Sequence, residues 1–191
     1  MATENDWVFL REALPDLRDY VLSSDVYRPL RPASRSASSA VAPQLTIGNL
    51  LLSQARLSAM SLNDGQQSEL KQISEKIHQV REEWRTNWGL KAGREFGSRL
   101  NLWQQYVRDL RGDVRQYASS YPSQVRLRTI LRMLRPEIME GVPANEEEQL
   151  AMLDQILRGL TQPGPFVWEP EISEAFPKEG FWFLYVQFGM K

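Results

Sequence analysis

The hydrophobic period between Gln66 and Ala118 constrains the fold more than any other feature of the chain. From Leu70, the residues Ile73, Ile77, Val80, Trp84 and Trp88 step by three or four, and Phe96, Leu100, Trp103, Val107, Leu110, Val114 and Tyr117 continue the step. Such spacing marks one buried face of an α-helix. As a single helix the segment would be about 80 Å long, whereas a compact chain of this size has a radius of gyration of about 16 Å. It must fold back as a hairpin or break. Trp84, Trp88, Ala92, Phe96 and Leu100 are spaced strictly by four, so their stripe sweeps about 40° per step around the cylinder. Gly89, Gly93 and Gly97 lie in the same stretch, each about 1 kcal/mol poorer than alanine in a helix interior. These features predict a kink or short interruption within Trp88 to Gly97. The competing reading is that the glycine spacing forms a flat groove for close approach of another helix.

Prolines and polar turns divide the rest. Leu10, Leu14, Leu17 and Val21 share a helical face, but proline costs about 3 kcal/mol inside a helix. Pro15 therefore predicts a break near Leu14 and a second helix from Pro15 to Leu22. Residues 27–43 carry three prolines and the run Ala33-Ser-Arg-Ser-Ala-Ser-Ser-Ala40, the composition of a linker or surface loop. A helix over Leu45 to Met60 is expected to stop at Asn63-Asp-Gly65, a turn signal. Ser120-Tyr121-Pro122 opens another with proline in its first turn, its apolar side being Leu127, Ile130, Leu131, Leu134 and Ile138. Asn145-Glu-Glu-Glu148 reads as a capping-box start with acids where the helix dipole favours them. Leu150, Leu153, Ile156, Leu157 and Leu160 then form a buried stripe, closed by Gly159 and Pro163. From residue 161 onward four prolines alternate with eight of the nineteen aromatic residues.

The expected architecture is mainly α: an irregular bundle of five or six helices with one long, kinked central helix and an extended aromatic, proline-rich C-terminal tail. Its parts read as an N-terminal helical segment (1–26), a Ser/Pro-rich linker or loop (27–43), a helical bundle core (44–162) and a tail packing on the bundle (163–191).

Several kinds of chemistry have little to work with here. There is no cysteine and one histidine, His78, which excludes disulfides, thiolate sites and paired-histidine zinc signatures. His78 reads as a surface or boundary residue. No phosphate-binding glycine loop, dinucleotide-binding pattern or Gly-x-Ser-x-Gly elbow is present. Glu169, Glu171 and Glu174 stand among aromatics and two carboxylates suffice for a glycosidase, but solvated acids among prolines are the commoner case. Neither catalysis, a cofactor nor a metal is expected. The acidic N-terminus lacks the basic and apolar regions of a secretory leader, and the longest apolar run, Phe181 to Val186, has six residues, far short of a membrane span. The expected location is the cytoplasm.

Arginine is distributed unevenly. Of 23 basic residues 18 are Arg, the side chain suited to bidentate contact with carboxylate or phosphate. Residues 81–136 hold twelve basic and five acidic residues, whereas residues 137–191 hold three and ten. The net charge of −1 thus conceals opposed charges in adjoining thirds. Arg128, Arg132 and Arg135 follow i, i+4, i+7 and form a stripe opposite Ile130 and Leu134. A short loop from Glu140 to Ala144 would make the flanking helices antiparallel neighbours, so the nearest carboxylates belong to the same chain. The alternative is a phosphate backbone followed by arginines, with aromatics for base stacking. Intramolecular or subunit pairing is favoured because the pI is near 6 rather than strongly basic. The expected function is a noncatalytic helical adaptor, scaffold or assembly subunit, acting on a protein partner or as a homo-oligomer; the alternative is an Arg-mediated nucleic-acid-binding module. The interaction candidates are Arg128, Arg132, Arg135, Trp168, Phe181, Trp182 and Tyr185.

Overall fold

Pro15 breaks the first helical face where its ring predicts. In the computed structural model, which describes residues 2–30 and 44–189, helix α1 spans Ala2–Ala13 and α2 spans Leu17–Leu22. Leu10, Leu17 and Val21 are fully buried on their common face. Residues 31–43 of the expected linker lie outside the described residues. On either side of them, β1 (Arg28–Pro29) and β2 (Gln44–Leu45) pair antiparallel, Arg28 opposite Leu45. Helix α3 (Ile47–Ser58) starts at Thr46, whose side chain accepts from the Asn49 backbone N–H at 3.0 Å.

Asn63-Asp-Gly65 does start a helix rather than merely turn the chain. The Asn63 side chain accepts from the Gln66 backbone N–H at 2.9 Å and Gln66 Oε1 accepts from the Asn63 N–H at 3.1 Å, a capping box opening α4 (Asp64–Glu83). The reciprocal pair satisfies two N–H groups that a helix start leaves unbonded. The expected interruption of the long periodic segment falls at Trp84, four residues before the predicted stretch, where φ is −119° and ψ is 39°. Helix α5 then runs unbroken over Arg85–Gly112, about 42 Å at 1.5 Å per residue. Its glycines are not breaks because other elements lie on them. A Cβ at Gly89 would stand 2.9 Å from Met139 Cγ, and one at Gly97 would stand 3.1 Å from Glu146 Oε1. The helix-groove reading of this spacing holds only at Gly97, which faces the start of the eighth helix, whereas Gly89 takes the close approach of Glu137 and Met139 ahead of that helix.

Asp113 ends α5, and its side chain caps the short α6 (Val114–Tyr117) by accepting from the Gln116 N–H at 3.0 Å. Helix α7 (Tyr121–Leu134) carries Pro122 in its first turn, and α8 spans Ala144–Leu160. The expected capping box at Asn145 does not form. Pro143, at φ −54° and ψ 140°, takes the cap position with no side-chain bond, and its carbonyl accepts from the N–H groups of Glu146 and Glu147. Proline's fixed φ starts the helix two residues early, placing Asn145 inside it. Eight α-helices among the described residues exceed the expected five or six because the Gln66 to Ala118 segment contributes three.

Helix α5 is the hub: α3, α7 and α8 all pack on it, and α1 packs on α3. Trp88, Phe96 and Trp103 are fully buried along it, together with Ile130, Leu131 and Leu134 of α7 and Leu157 of α8. The tail closes this core. Strand β3 (Thr161–Pro163) pairs antiparallel with β4 (Val186–Phe188), Gln162 opposite Gln187, a ladder the helical period gave no hint of. Between them Phe176, Phe183 and Leu184 are fully buried. Among the described residues no helix is long and apolar enough to cross a membrane.

Candidate functional site

Charged side chains enter the interior of this bundle along one line of α5. Lys91, Glu95 and Arg99 follow one another at intervals of four, each just before Ala92, Phe96 or Leu100 of the apolar spine. All three are buried. Glu95 Oε2 accepts from the Gly48 backbone N–H at 3.0 Å and Oε1 accepts from Arg99 Nε at 2.6 Å. The carboxylate thus sits at the start of α3, where the helix dipole favours an anion. Arg99 Nη2 in turn donates to Thr46 Oγ1 at 3.0 Å. No Cβ fits at Gly48, since it would fall 2.1 Å from Ile130 Cγ2. The group locks α3, α5 and α7 together. It was missed from the sequence, although the repeat of Lys, Glu and Arg immediately beside the apolar spine was its signal.

Lys91 turns toward α2. Its Nζ donates to the carbonyls of Ser23 and Asp25 and lies 4.1 Å from the centre of the Tyr20 ring. An ammonium at the end of a helix complements the exposed carbonyls. Burial nevertheless pulls its pKa down to about 8, with Asp25 opposing the shift and Arg28 and Arg94 adding to it. Between pH 8 and the ordinary lysine value the unfolded chain holds this proton more tightly, so folding becomes more favourable as pH rises through that window. Lys91→Met removes this contribution. In urea titrations at pH 7.5 and 10, the stability of the wild type relative to the variant should be greater at the higher pH; an unchanged difference would contradict the assignment.

The arginine stripe of α7 divides. Arg128 is buried and donates through Nε and Nη2 to both carboxylate oxygens of Asp154 on α8, at 2.8 and 2.7 Å. Its guanidinium lies 4.4 Å from the centre of the Phe183 ring. Arg135 pairs with Glu147 of α8 at 2.8 Å. Arg132 is exposed and makes no ion pair among the described residues. A third link between the basic and acidic thirds is Glu137, whose Oε2 accepts from Arg81 Nε at 2.9 Å and from Trp88 Nε1 at 2.8 Å. The break at Trp84 lies between these two donors.

The aromatic candidates serve mainly as packing. Trp168 Nε1 donates to the Pro122 carbonyl at 2.7 Å, and the ring stands edge-on to Phe166 and Phe176. Phe181 packs edge-on to Phe176 and Phe183. The Tyr185 hydroxyl donates to the Phe176 carbonyl at 2.9 Å. Trp182, half-buried like the other three, also carries the Arg158 guanidinium 3.6 Å from its ring centre.

Some large apolar side chains remain outside. Leu22 and Leu90, 42% and 60% exposed, line one cleft between α2 and α5 with Asn87 and Arg94 on its rim. Met139, also 60% exposed, rests on Gly89, the residue before Leu90. His78 is exposed, and among the described residues no group of three metal-binding side chains converges. Compared with known protein families, curated proteins and solved structures, the chain matches none of them.

Proposed function

We propose that this chain is a noncatalytic helical adaptor or assembly subunit that works in the cytoplasm through contacts with protein. The observation that carries the reading is that two large apolar side chains, Leu22 and Leu90, stand 42% and 60% exposed in one cleft between α2 and α5. Single exposed apolar side chains are ordinary, whereas grouped ones mark contact surfaces. The buried charges support it as well: Glu95, Arg99 and Arg128 bond to neighbouring elements and so hold the scaffold that presents this surface.

The test is sedimentation and nuclease-treated affinity purification of the wild type beside Leu90→Asp. The reading expects a mass above 22.1 kDa or a nuclease-resistant protein partner, lost in the variant. A monomer that retains no protein, or retains the same proteins in both forms, overturns it.

A second reading, nucleic-acid binding, draws on Arg85, Arg94, Arg108 and Arg111, exposed residues of α5 that make no ion pair among the described residues. It expects a low-salt gel shift that weakens steeply with salt and is abolished by Arg94→Glu with Arg108→Glu. No shift at low ionic strength rejects it.

A further inference from the structure

Three cations converge on one turn of the tail without a carboxylate partner among the described residues. The turn is closed by the N–H groups of Gly180 and Phe181 donating to the Pro177 carbonyl at 3.1 and 3.0 Å. Lys178 lies within it and Trp182 just after it. Arg158 reaches over from α8 to stack on Trp182, and Arg132 comes from α7 to lie against Gly180, where a Cβ would stand 3.8 Å from its Nε and Nη2. Beside the turn is an open cleft of about 230 Å³ lined by Arg158, Thr161, Gln162, Lys178, Trp182 and Tyr185.

Six arginines elsewhere pair closely with acids, Arg11 with Glu69, Arg56 with Asp6, Arg81 with Glu137, Arg99 with Glu95, Arg128 with Asp154 and Arg135 with Glu147, whereas the exposed Arg85, Arg94, Arg108 and Arg111 are spread along α5 with no cleft between them and an aromatic ring among the described residues. Arg132, Arg158 and Lys178 make no ion pair among the described residues, although Glu179 is in the same turn. Glu179 acts on Tyr185, adding to the upward pull of burial on its hydroxyl. Stacking on an aromatic face fixes a guanidinium in place while leaving its charge and its N–H groups available.

We infer that this cleft docks a peptide segment of a partner protein through an exposed carboxylate, received by Arg158 and Lys178 beside Trp182, with Arg132 flanking it. The inference rests on the protein-contact reading above and names the chemistry of one partner. The size of the cleft suits one or two side chains rather than a duplex. The acidic third around it also disfavours a continuous phosphate backbone more than an isolated carboxylate between neutral residues. Thr161 and Gln162 supply polar side chains to the flanking peptide.

The test is an NMR titration of the full ¹⁵N-labelled chain with the peptide acetyl-Gly-Ala-Glu-Ala-Gly-amide, following the Trp182 indole N–H and the amides of Thr161 and Gln162. These signals should move together, and Arg158→Glu with Lys178→Glu should weaken binding at least tenfold. A charge-matched control on the exposed face of α4, Lys71→Glu with Lys76→Glu, should leave it within twofold. Conserved amide dispersion shows that each variant is folded. The inference is overturned by no movement at Trp182, by equal weakening in the control, or by a thymidine oligonucleotide displacing the peptide from these residues. A chain that ignores the peptide yet still loses a captured protein through Leu90→Asp would reject this site alone.

Discussion

Glu95→Gln is expected to lower the unfolding free energy by about 3–5 kcal/mol, the range for breaking a buried ion pair by removing one partner. The carboxylate is fully buried, and each of its oxygens accepts from a different donor, Gly48 N–H and Arg99 Nε. A glutamine has one acceptor oxygen. Its amide nitrogen must face the other donor, and Arg99, itself 6% exposed, loses its counter-charge. For a chain of this size the loss corresponds to a fall in Tm of roughly 6–20 °C. Calorimetry or urea unfolding reads it directly. A Tm within 2 °C of wild type would mean that the group is not a keystone of the α3–α5 contact.

Phe183→Ala should be comparably damaging, at about 3–5 kcal/mol for a buried phenylalanine. Its ring is fully buried and supports the Arg128 guanidinium, while its carbonyl accepts from the Tyr121 hydroxyl at 2.6 Å. The substitution therefore empties a cavity and loosens the tail from α7 at the same place. Hydrogen exchange should rise at Gly164 and Val167, whose N–H groups donate to the Tyr185 and Leu184 carbonyls. A loss below about 0.5 kcal/mol, within the range of ordinary surface changes, would make the tail a peripheral segment rather than the closing layer of the core.

Much of this fold was readable from spacing because a helix repeats its buried face along one stretch of chain. Leu10, Leu17 and Val21, the spine of α5, and Leu150, Leu153 and Leu157 all lie inward as their period requires. Pro15 and Pro122 acted locally and fell where expected. What the period does not carry is the partner of each face. The glycines of α5 read as weaknesses because their gain comes from Met139 and Glu146, forty or more residues away. The β3–β4 ladder joins segments separated by the whole tail. Glu95 and Lys91 were not singled out, since only the arrival of α3 and α2 encloses them. The stripe on α7 was legible as a stripe, but its division into paired Arg128 and Arg135 and unpaired Arg132 depends on which residues α8 brings opposite. Among the interaction candidates, the sequence singled out Trp182 without the Arg158 that stacks on it.

The opposed charges of the adjoining thirds meet most closely at Arg128 and Asp154. A double-mutant cycle with Arg128→Met and Asp154→Leu, read by urea unfolding, tests whether they neutralise each other within one molecule. The pair is bidentate and its arginine is buried, so a coupling of about 2 kcal/mol or more is expected, near the upper part of the range for directly contacting residues. A coupling below about 0.5 kcal/mol, the level found for independent sites, would contradict internal neutralisation and return these arginines to the solvent as a surface for an external partner.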